Sequence, residues 1–243
     1  MPNLNNETSN IILALKAGFH LEAANAHRDL YTLKQMIHDE GVRIYTERGK
    51  CMFRQGEAVD KFFLIANGGV ALTRHCGNGS AQVLDFFFDD AVFSDMKEPF
   101  AHSTYSATCL VDTHAYAISA ASIRRSFLHD RELMLDCNQL LMETLNRAYG
   151  NLINLGCCHG EERVAYILCM IHDSIIRNTC RQINIPVRQI DIANAVGMTP
   201  VYVNQILKSL KKCGSIHLNK GSVEILDISI LRHICGCNAA SVS

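Results

Sequence analysis

Near Ser119 the hydrophobic pattern changes period, and that switch limits the possible folds more than any other feature of the chain. Before it, from about Val42, short apolar runs alternate with turn signals. The runs are Lys61–Ala66, Gly69–Thr73, Gln82–Leu84 and His114–Ile118; the turns carry Gly49, Gly56, Asn67-Gly68-Gly69 and Gly77-Asn78-Gly79. Strands this short, so regularly interrupted, predict a small sandwich or barrel. After Ser119, apolar residues recur every three or four positions. Leu133, Cys137, Leu140, Thr144 and Ala148 form one stripe, and Met134, Leu141, Leu145, Leu152 and Leu155 a second. Both lie on one helix expected over about Asp130 to Leu155. Two stripes need two covers: the β part for one, and for the other the same helix of a second copy in a parallel pair. Ahead of the strands, Glu22 to Glu40 has polar helical spacing, and the first ten residues are expected to be loose.

Asn154-Leu155-Gly156-Cys157-Cys158-His159-Gly160 reads as a hinge, its two glycines ending one helix before the next starts near Glu161. Helices are expected over Glu161–Ile176, Arg188–Val196 and Thr199–Lys212. A hairpin follows, with Ser215–Leu218 and Val223–Leu226 flanking a tip at Asn219–Ser222, and Asp227–Ile234 supplies a last helical turn or two.

Within that region, "QIDIANAVGMTPVYVNQILKSLKK" has the parts of a helix–turn–helix. Ala193 is small enough for close approach, Gly197 accepts a positive φ, and Pro200 suits the first turn of the second helix. Ile192, Val196, Met198, Val203, Ile206 and Leu210 are the expected internal contacts. The outward residues, Thr199, Val201, Tyr202, Gln205, Lys208 and Lys212, suit duplex DNA. Glutamine can bond an adenine edge, valine can touch a thymine methyl, and lysines neutralise phosphates. Gln189 and Asn204 complete the predicted DNA-binding set with Pro200 and with Lys220, at the tip of a wing.

Composition agrees with a packed chain that meets a polyanion. Of 243 residues, 48% are hydrophobic and 19% charged, so wholesale disorder is not expected. The net charge of −1 hides an asymmetry: −4 over residues 1–156 and +3 over 157–243. No apolar run reaches the roughly 18 residues of a membrane span, and the N-terminus lacks an export signal, so a cytoplasmic protein without membrane contact is expected. The 11 cysteines are expected to be reduced thiols. Cys157-Cys158, beside His159 at the hinge, are candidate redox residues, and Cys235-Gly236-Cys237 is a second thiol group. Haem ligation by His75-Cys76, His102 or His114 is an alternative, and no metal site is assigned. Phe86-Phe87-Phe88, with Phe93 and Tyr105, reads as core or as an apolar effector pocket completed by Ser94, Ser103 and Thr104. The chain has no His-x-His, Gly-x-Ser-x-Gly or glycine-rich phosphate loop, so catalysis is not expected.

From roughly Glu40 to Cys235 the plan resembles the family of the cyclic-AMP receptor protein and the oxygen regulator FNR. "ERGKCMFRQGEAVDKFFLIANGGVAL" carries the likeness in the first half and "PVRQIDIANAVGMTPVYVNQILKSLKKCGSI" in the second. The resemblance implies an α+β protein: an N-terminal β-roll of the cyclic-nucleotide-binding type in residues 1–128, a dimerisation helix in 129–156 and a winged helix–turn–helix in 157–243. It further implies a homodimer on a near-palindromic operator, and contact with RNA polymerase if the protein activates. Two departures limit what transfers. In cyclic-nucleotide binders a Gly-Glu pair and an Arg-Ser or Arg-Thr pair flank the phosphate. Phe93-Ser94-Asp95 and His102-Ser103-Thr104 stand there instead, and no arginine occurs between His75 and Ile123. Cyclic AMP, lacking its balancing cation, is not the expected ligand. The first cysteine is Cys51, so an N-terminal iron–sulfur cluster is not expected either. The effector stays unknown. Pro200 and Val201 stand where one branch of the family has its base-reading arginine and glutamate, which points to a different operator.

Overall fold

The computed structural model describes residues 29–95, 102–176 and 183–236, which fall into two compact units. Expectations for residues 1–28, and for Cys237, lie outside the described residues. One unit spans 29–144 and the other 145–173 with 183–236. The division falls inside the long helix rather than at either of its ends.

The first unit is a β-roll with a helical layer. Helix α1 (Tyr31–Glu40) leads into eight strands: β1 (Val42–Thr46), β2 (Cys51–Phe53), β3 (Lys61–Asn67), β4 (Gly69–His75), β5 (Ala81–Phe88), β6 (Val92–Ser94), β7 (Ser106–Cys109) and β8 (Thr113–Ser119). They form two antiparallel sheets, ordered β1-β8-β3-β6 and β2-β7-β4-β5. Alternation along β3 gives it two cores. Phe63 and Ile65 face the roll interior with Phe53, Val70, Leu72, Phe87 and Phe93. Phe62 and Leu64 face the other way, under α1, α2 (Ala120–Ser126) and the start of α3 (Arg131–Cys157). Inside the roll the rings stack in sequence: Phe53 on Phe63 at 5.7 Å, Phe63 on Phe93 at 5.1 Å, and Phe93 on Phe87 at 5.1 Å. In the helical layer the carboxylate of buried Asp136 accepts from the backbone N–H of Leu33 at 3.0 Å, fixing α3 to the start of α1.

Between β3 and β4 the chain turns on Gly68, whose φ of +131° lies in the region that side chains avoid. A Cβ there would lie 2.5 Å from Oγ1 of Thr113, which itself accepts from the Gly69 N–H at 3.2 Å. Glycine is required twice over, by conformation and by space.

Helix α3 carries the first expected stripe only as far as Leu140, because Thr144 and Ala148, expected to be covered with it, are exposed. Leu133, Cys137 and Leu140 are buried against the roll. Met134, Asn138, Leu141, Leu145, Ala148 and Leu152 are exposed, and with half-buried Leu155 they alternate in steps of four and three. That is the spacing of a coiled-coil seam. Contrary to the expected glycine hinge, the helix continues through Gly156 to Cys157, and the break falls at Cys158–His159. The stop and start signals explain it: Glu162 reaches back to accept from the His159 N–H at 2.9 Å, beginning α4 (Gly160–Ile176). A glycine inside a helix costs only about 1 kcal/mol, too little to end it.

The second unit packs α4, whose Val164, Ile167, Leu168 and Ile171 are buried, with α5 (Gln189–Val196), α6 (Pro200–Lys212) and α7 (Ile228–Ile234). Strands β10 (Ile216–Asn219) and β11 (Ser222–Ile225) make the expected hairpin. A third strand, β9 (Ile183–Ile185), pairs with β11 and was not anticipated.

Candidate nucleic-acid interface

Helix α5 begins where Asp191, 7% exposed, turns its carboxylate back to Arg188. It accepts from the Arg188 backbone N–H at 3.0 Å, Nε at 2.9 Å and Nη2 at 2.8 Å. That bidentate grip raises the Arg188 guanidinium above its usual range. The helix ends at Gly197, in the left-handed region at φ 66° and ψ 37°, where the N–H groups of Gly197 and Met198 both reach the Ala193 carbonyl. Helix α6 then starts on Thr199, whose hydroxyl accepts from the Tyr202 N–H at 3.3 Å, with Pro200 in its first turn. Val203, Ile206, Leu207 and Leu210 are buried with Ile192, Ala193 and Val196. Leu207 joins that core unpredicted, and Met198 is only half-buried.

The opposite face of α6 is open. Thr199, Pro200, Val201, Gln205, Lys208 and Lys212 are exposed, Val201 at 70%. Lys211, absent from the predicted set, joins the two lysines in the last turns, where the helix dipole favours cations. Lys220 is exposed at the hairpin tip, between paired Asn219 and Ser222. Three predicted contacts are partly committed within the protein. Gln189 donates through Nε2 to Oδ1 of half-buried Asn204 at 3.3 Å, so these two are held to each other across the turn. Tyr202, 47% exposed, leans back on Gly160, where a Cβ would lie 2.7 Å from the phenol oxygen.

The residue that sequence reasoning missed is Arg163. Its Nε donates to the Cys158 carbonyl at 2.8 Å and its Nη1 to the Val196 carbonyl at 3.4 Å. One guanidinium therefore joins the break after α3 to the C-terminal end of α5. No local motif announces it, because its partners are backbone atoms five and 33 residues away. A second unpredicted tie closes the domain: Arg232 of α7 meets Asp173 at 2.7 Å and His172 meets the same oxygen at 3.0 Å. Burial raises the Asp173 carboxyl, but these hydrogen bonds outweigh it and hold the group below its ordinary value.

The predicted effector residues do not gather around one space. Period-2 alternation sets Phe86 and Phe88 on the face of β5 opposite Phe87, while Phe93 is locked in the interior ring stack; all are at most 7% exposed. Phe88 instead covers Gly69. Ser103 is fully engaged: its backbone pairs with Gly56 and Glu57, and its hydroxyl donates to the Tyr105 carbonyl at 2.7 Å. Thr104 is exposed, with its carbonyl taken by Arg74, and Tyr105 stacks at 6.0 Å on Phe53. Ser94 borders a cavity on the helical side of the sheet.

Of the candidate redox residues, Cys157 is exposed and Cys158 buried. Elsewhere among the described residues, the thiols of buried Cys169 of α4 and Cys235 after α7 approach to 4.0 Å. Burial, with Asp136 adjoining, pushes the Cys137 thiol up to about 11, away from reactivity.

Comparison with known proteins extends these observations. Residues 43–130 match the cyclic nucleotide-binding domain and residues 162–234 the Crp-like helix-turn-helix domain. The nitrogen fixation regulation protein FixK of Rhizobium meliloti is 24% identical over 188 residues, 77% of this chain and 84% of the relative. A CRP-like cAMP-activated global transcriptional regulator of Mycobacterium tuberculosis is 26% identical over 185 residues, 74% of this chain and 82% of the relative. The solved structure of FixK2 from Bradyrhizobium japonicum superposes with a TM-score of 0.71 at 17% identity, covering 80% of this chain and 96% of that one. A roll of the nucleotide-binding type, a long helix and a winged helix–turn–helix thus occur in one order along one polypeptide, and the chain belongs to the CRP/FNR family of DNA-binding transcription regulators.

Proposed function

We propose that this regulator works as a homodimer, without catalytic activity, and answers a signal other than cyclic AMP. The observation that carries the DNA-reading half is the open face of α6, where Val201 and Gln205 precede Lys208 and Lys212. Short side chains near the helix start reach base edges, and lysines further along meet phosphates. The seam on α3 supports pairing: seven residues at alternating four- and three-residue steps stand on one helix, six of them apolar (Met134, Leu141, Leu145, Ala148, Leu152 and Leu155). Two such subunits would set their α6 helices into successive major grooves of a near-palindromic operator. An activator of this build would also touch RNA polymerase.

The cyclic-AMP activation named for the Mycobacterium tuberculosis relative does not carry over on these residues. No arginine lies between His75 and Ile123, Ser103 is consumed by local bonds, and stacked rings occupy the roll interior. A buried phosphodiester there would lack a cation.

Selection of bound sequences from a random duplex pool tests the reading. Gln205→Ala is expected to relax base preference at one position per half-site, at about 1–3 kcal/mol. Lys208→Ala is expected to weaken all duplexes alike and reduce the salt slope by about one. An unchanged selected sequence for Gln205→Ala would show that another face reads the bases.

A further inference from the structure

The exposed face of α3 is wider than the pairing of two helices requires. Its four- and three-residue steps put Asn138, Leu145 and Leu152 at heptad position a, after Arg131 at the first residue of the helix. Met134, Leu141, Ala148 and Leu155 occupy position d. Beside them, at position e, stand Leu135, Met142 and Tyr149, all exposed and uncharged, where a two-stranded coil often carries Glu or Lys. Positions d, a and e together span about 100° of the helix surface. An apolar face of that width suits larger bundles, slipped pairs and antiparallel pairs as well as it suits one parallel dimer.

Within the seam, Asn138 breaks the apolar run. It is exposed, and among the described residues its side-chain amide has no hydrogen-bond partner. Two other carboxamides of α3 are committed within the chain: Gln139 donates to Glu143 at 2.9 Å, and Asn154 to the Arg163 carbonyl at 3.5 Å. Met134 and Leu141 flank Asn138 along the seam, so pairing through this face takes its amide out of water. A desolvated amide needs a partner, and the apolar side chains of the seam offer none.

One arrangement supplies that partner. In a parallel pair, equivalent a residues face each other, and an amide carries both a donor and an acceptor. In register, the amide N–H of one Asn138 can donate to the side-chain carbonyl of the second copy's Asn138. A one-heptad slip, about 10 Å along the axis, sets Asn138 against Leu145 instead. Antiparallel pairing sets it against position d, where only Met, Leu and Ala stand. Either error buries two amides without partners.

We propose that Asn138 is the specificity-determining residue of the seam: bonded to its own copy, it selects a parallel, in-register, two-stranded pair over the other assemblies this face allows. The inference rests on the reading of the chain as a homodimer, and adds which homodimer it forms. In-register pairing ends both α3 helices at one level, as a two-fold operator requires.

The test uses the full chain carrying Leu152→Cys, at an a position whose equivalents face each other only in register. Brief oxidation with diamide and peptide mass spectrometry give the ratio of disulfides joining two copies at position 152 to all other cross-links, those of native cysteines included. Sedimentation equilibrium gives the chains per particle. This parent is expected to be a dimer joined mainly at position 152. Adding Asn138→Leu is expected to tighten association, lower the ratio at least about tenfold and produce species larger than a dimer. A role in packing alone would change affinity without moving the ratio. Asn138→Leu combined with Leu145→Asn returns the amide one heptad along, and is expected to restore both the dimer and the ratio; if Asn138→Leu alone precipitates, this transplant decides. An Asn138→Leu protein that stays dimeric with its ratio unchanged, or a transplant that fails to restore it, would overturn the proposal and leave the homodimer standing. A monomeric parent would remove the homodimer reading and the proposal together.

Discussion

Replacing Arg163 is the perturbation whose outcome most directly tests how the DNA-binding unit is held together. Its guanidinium donates at 2.8 Å to the Cys158 carbonyl and at 3.4 Å to the Val196 carbonyl. A hydrogen bond from a charged donor contributes about 1.5–3 kcal/mol, and Arg163 is half-buried, so the shorter bond belongs near the lower end of that range. The 3.4 Å bond is long and contributes well under 1 kcal/mol on its own, aided by the negative end of α5. Arg163→Ala is therefore expected to destabilise the unit by about 2 kcal/mol. Arg163→Lys keeps the charge but cannot fork to both carbonyls, and is expected to recover about half of that loss. Urea denaturation measures the stability. Duplex titrations over a range of salt then separate positioning from contact. A positioning residue lowers affinity at every salt concentration and leaves the slope unchanged; a phosphate contact reduces the slope by about one. A stability change under about 0.5 kcal/mol, or a shallower slope, would refute the reasoning.

Three further outcomes follow from the same structure. Leu145→Glu and Leu152→Glu, exposed on the seam at 43% and 67%, are expected to convert a dimer to monomers in sedimentation experiments without disturbing the fold; a dimer that persists would place the interface elsewhere. Gly68→Ala is expected to cost about 2–4 kcal/mol, because φ is +131° and the new methyl meets Thr113 Oγ1 at 2.5 Å. Gly79→Ala, at φ +82° with nothing nearby, is the control and should cost about 1 kcal/mol by thermal denaturation. For pH, the Asp173 carboxyl is held below its unfolded value, so its stabilising contribution is complete above that value, near 3.9, and fades as pH falls through the lower folded value. Arg232→Ala should lower stability at neutral pH by about 1 kcal/mol and shrink the difference from the parent protein under acid.

The fold was legible where a local pattern suffices. Alternation located the strands, and three- and four-residue spacing located α3, since each reflects which side chains meet a core. The helix–turn–helix was legible because Ala193, Gly197, Thr199 and Pro200 each meet a requirement of the backbone at their own position. What failed depended on distance. Phe86, Phe87 and Phe88 are adjacent in sequence but alternate across β5, so an aromatic run is not a pocket. β9 lies some 40 residues from its partner β11, with no turn signal to pair them. Gly156 looked like a stop but lies within a helix, because Glu162 and not the glycine marks where the next helix begins. Asp95 was counted among the acidic residues; that it borders a cavity depends on α2 and α3 packing over it.

The four phenylalanines that fill the roll have one more consequence. Phe53, Phe63, Phe93 and Phe87 come from β2, β3, β6 and β5, so the pile cross-links strands of both sheets. A structure keyed through its middle in this way is a keel rather than a vessel. Substitutions along it should travel as loss of the whole roll, and tolerated variation is left to the outside of the barrel.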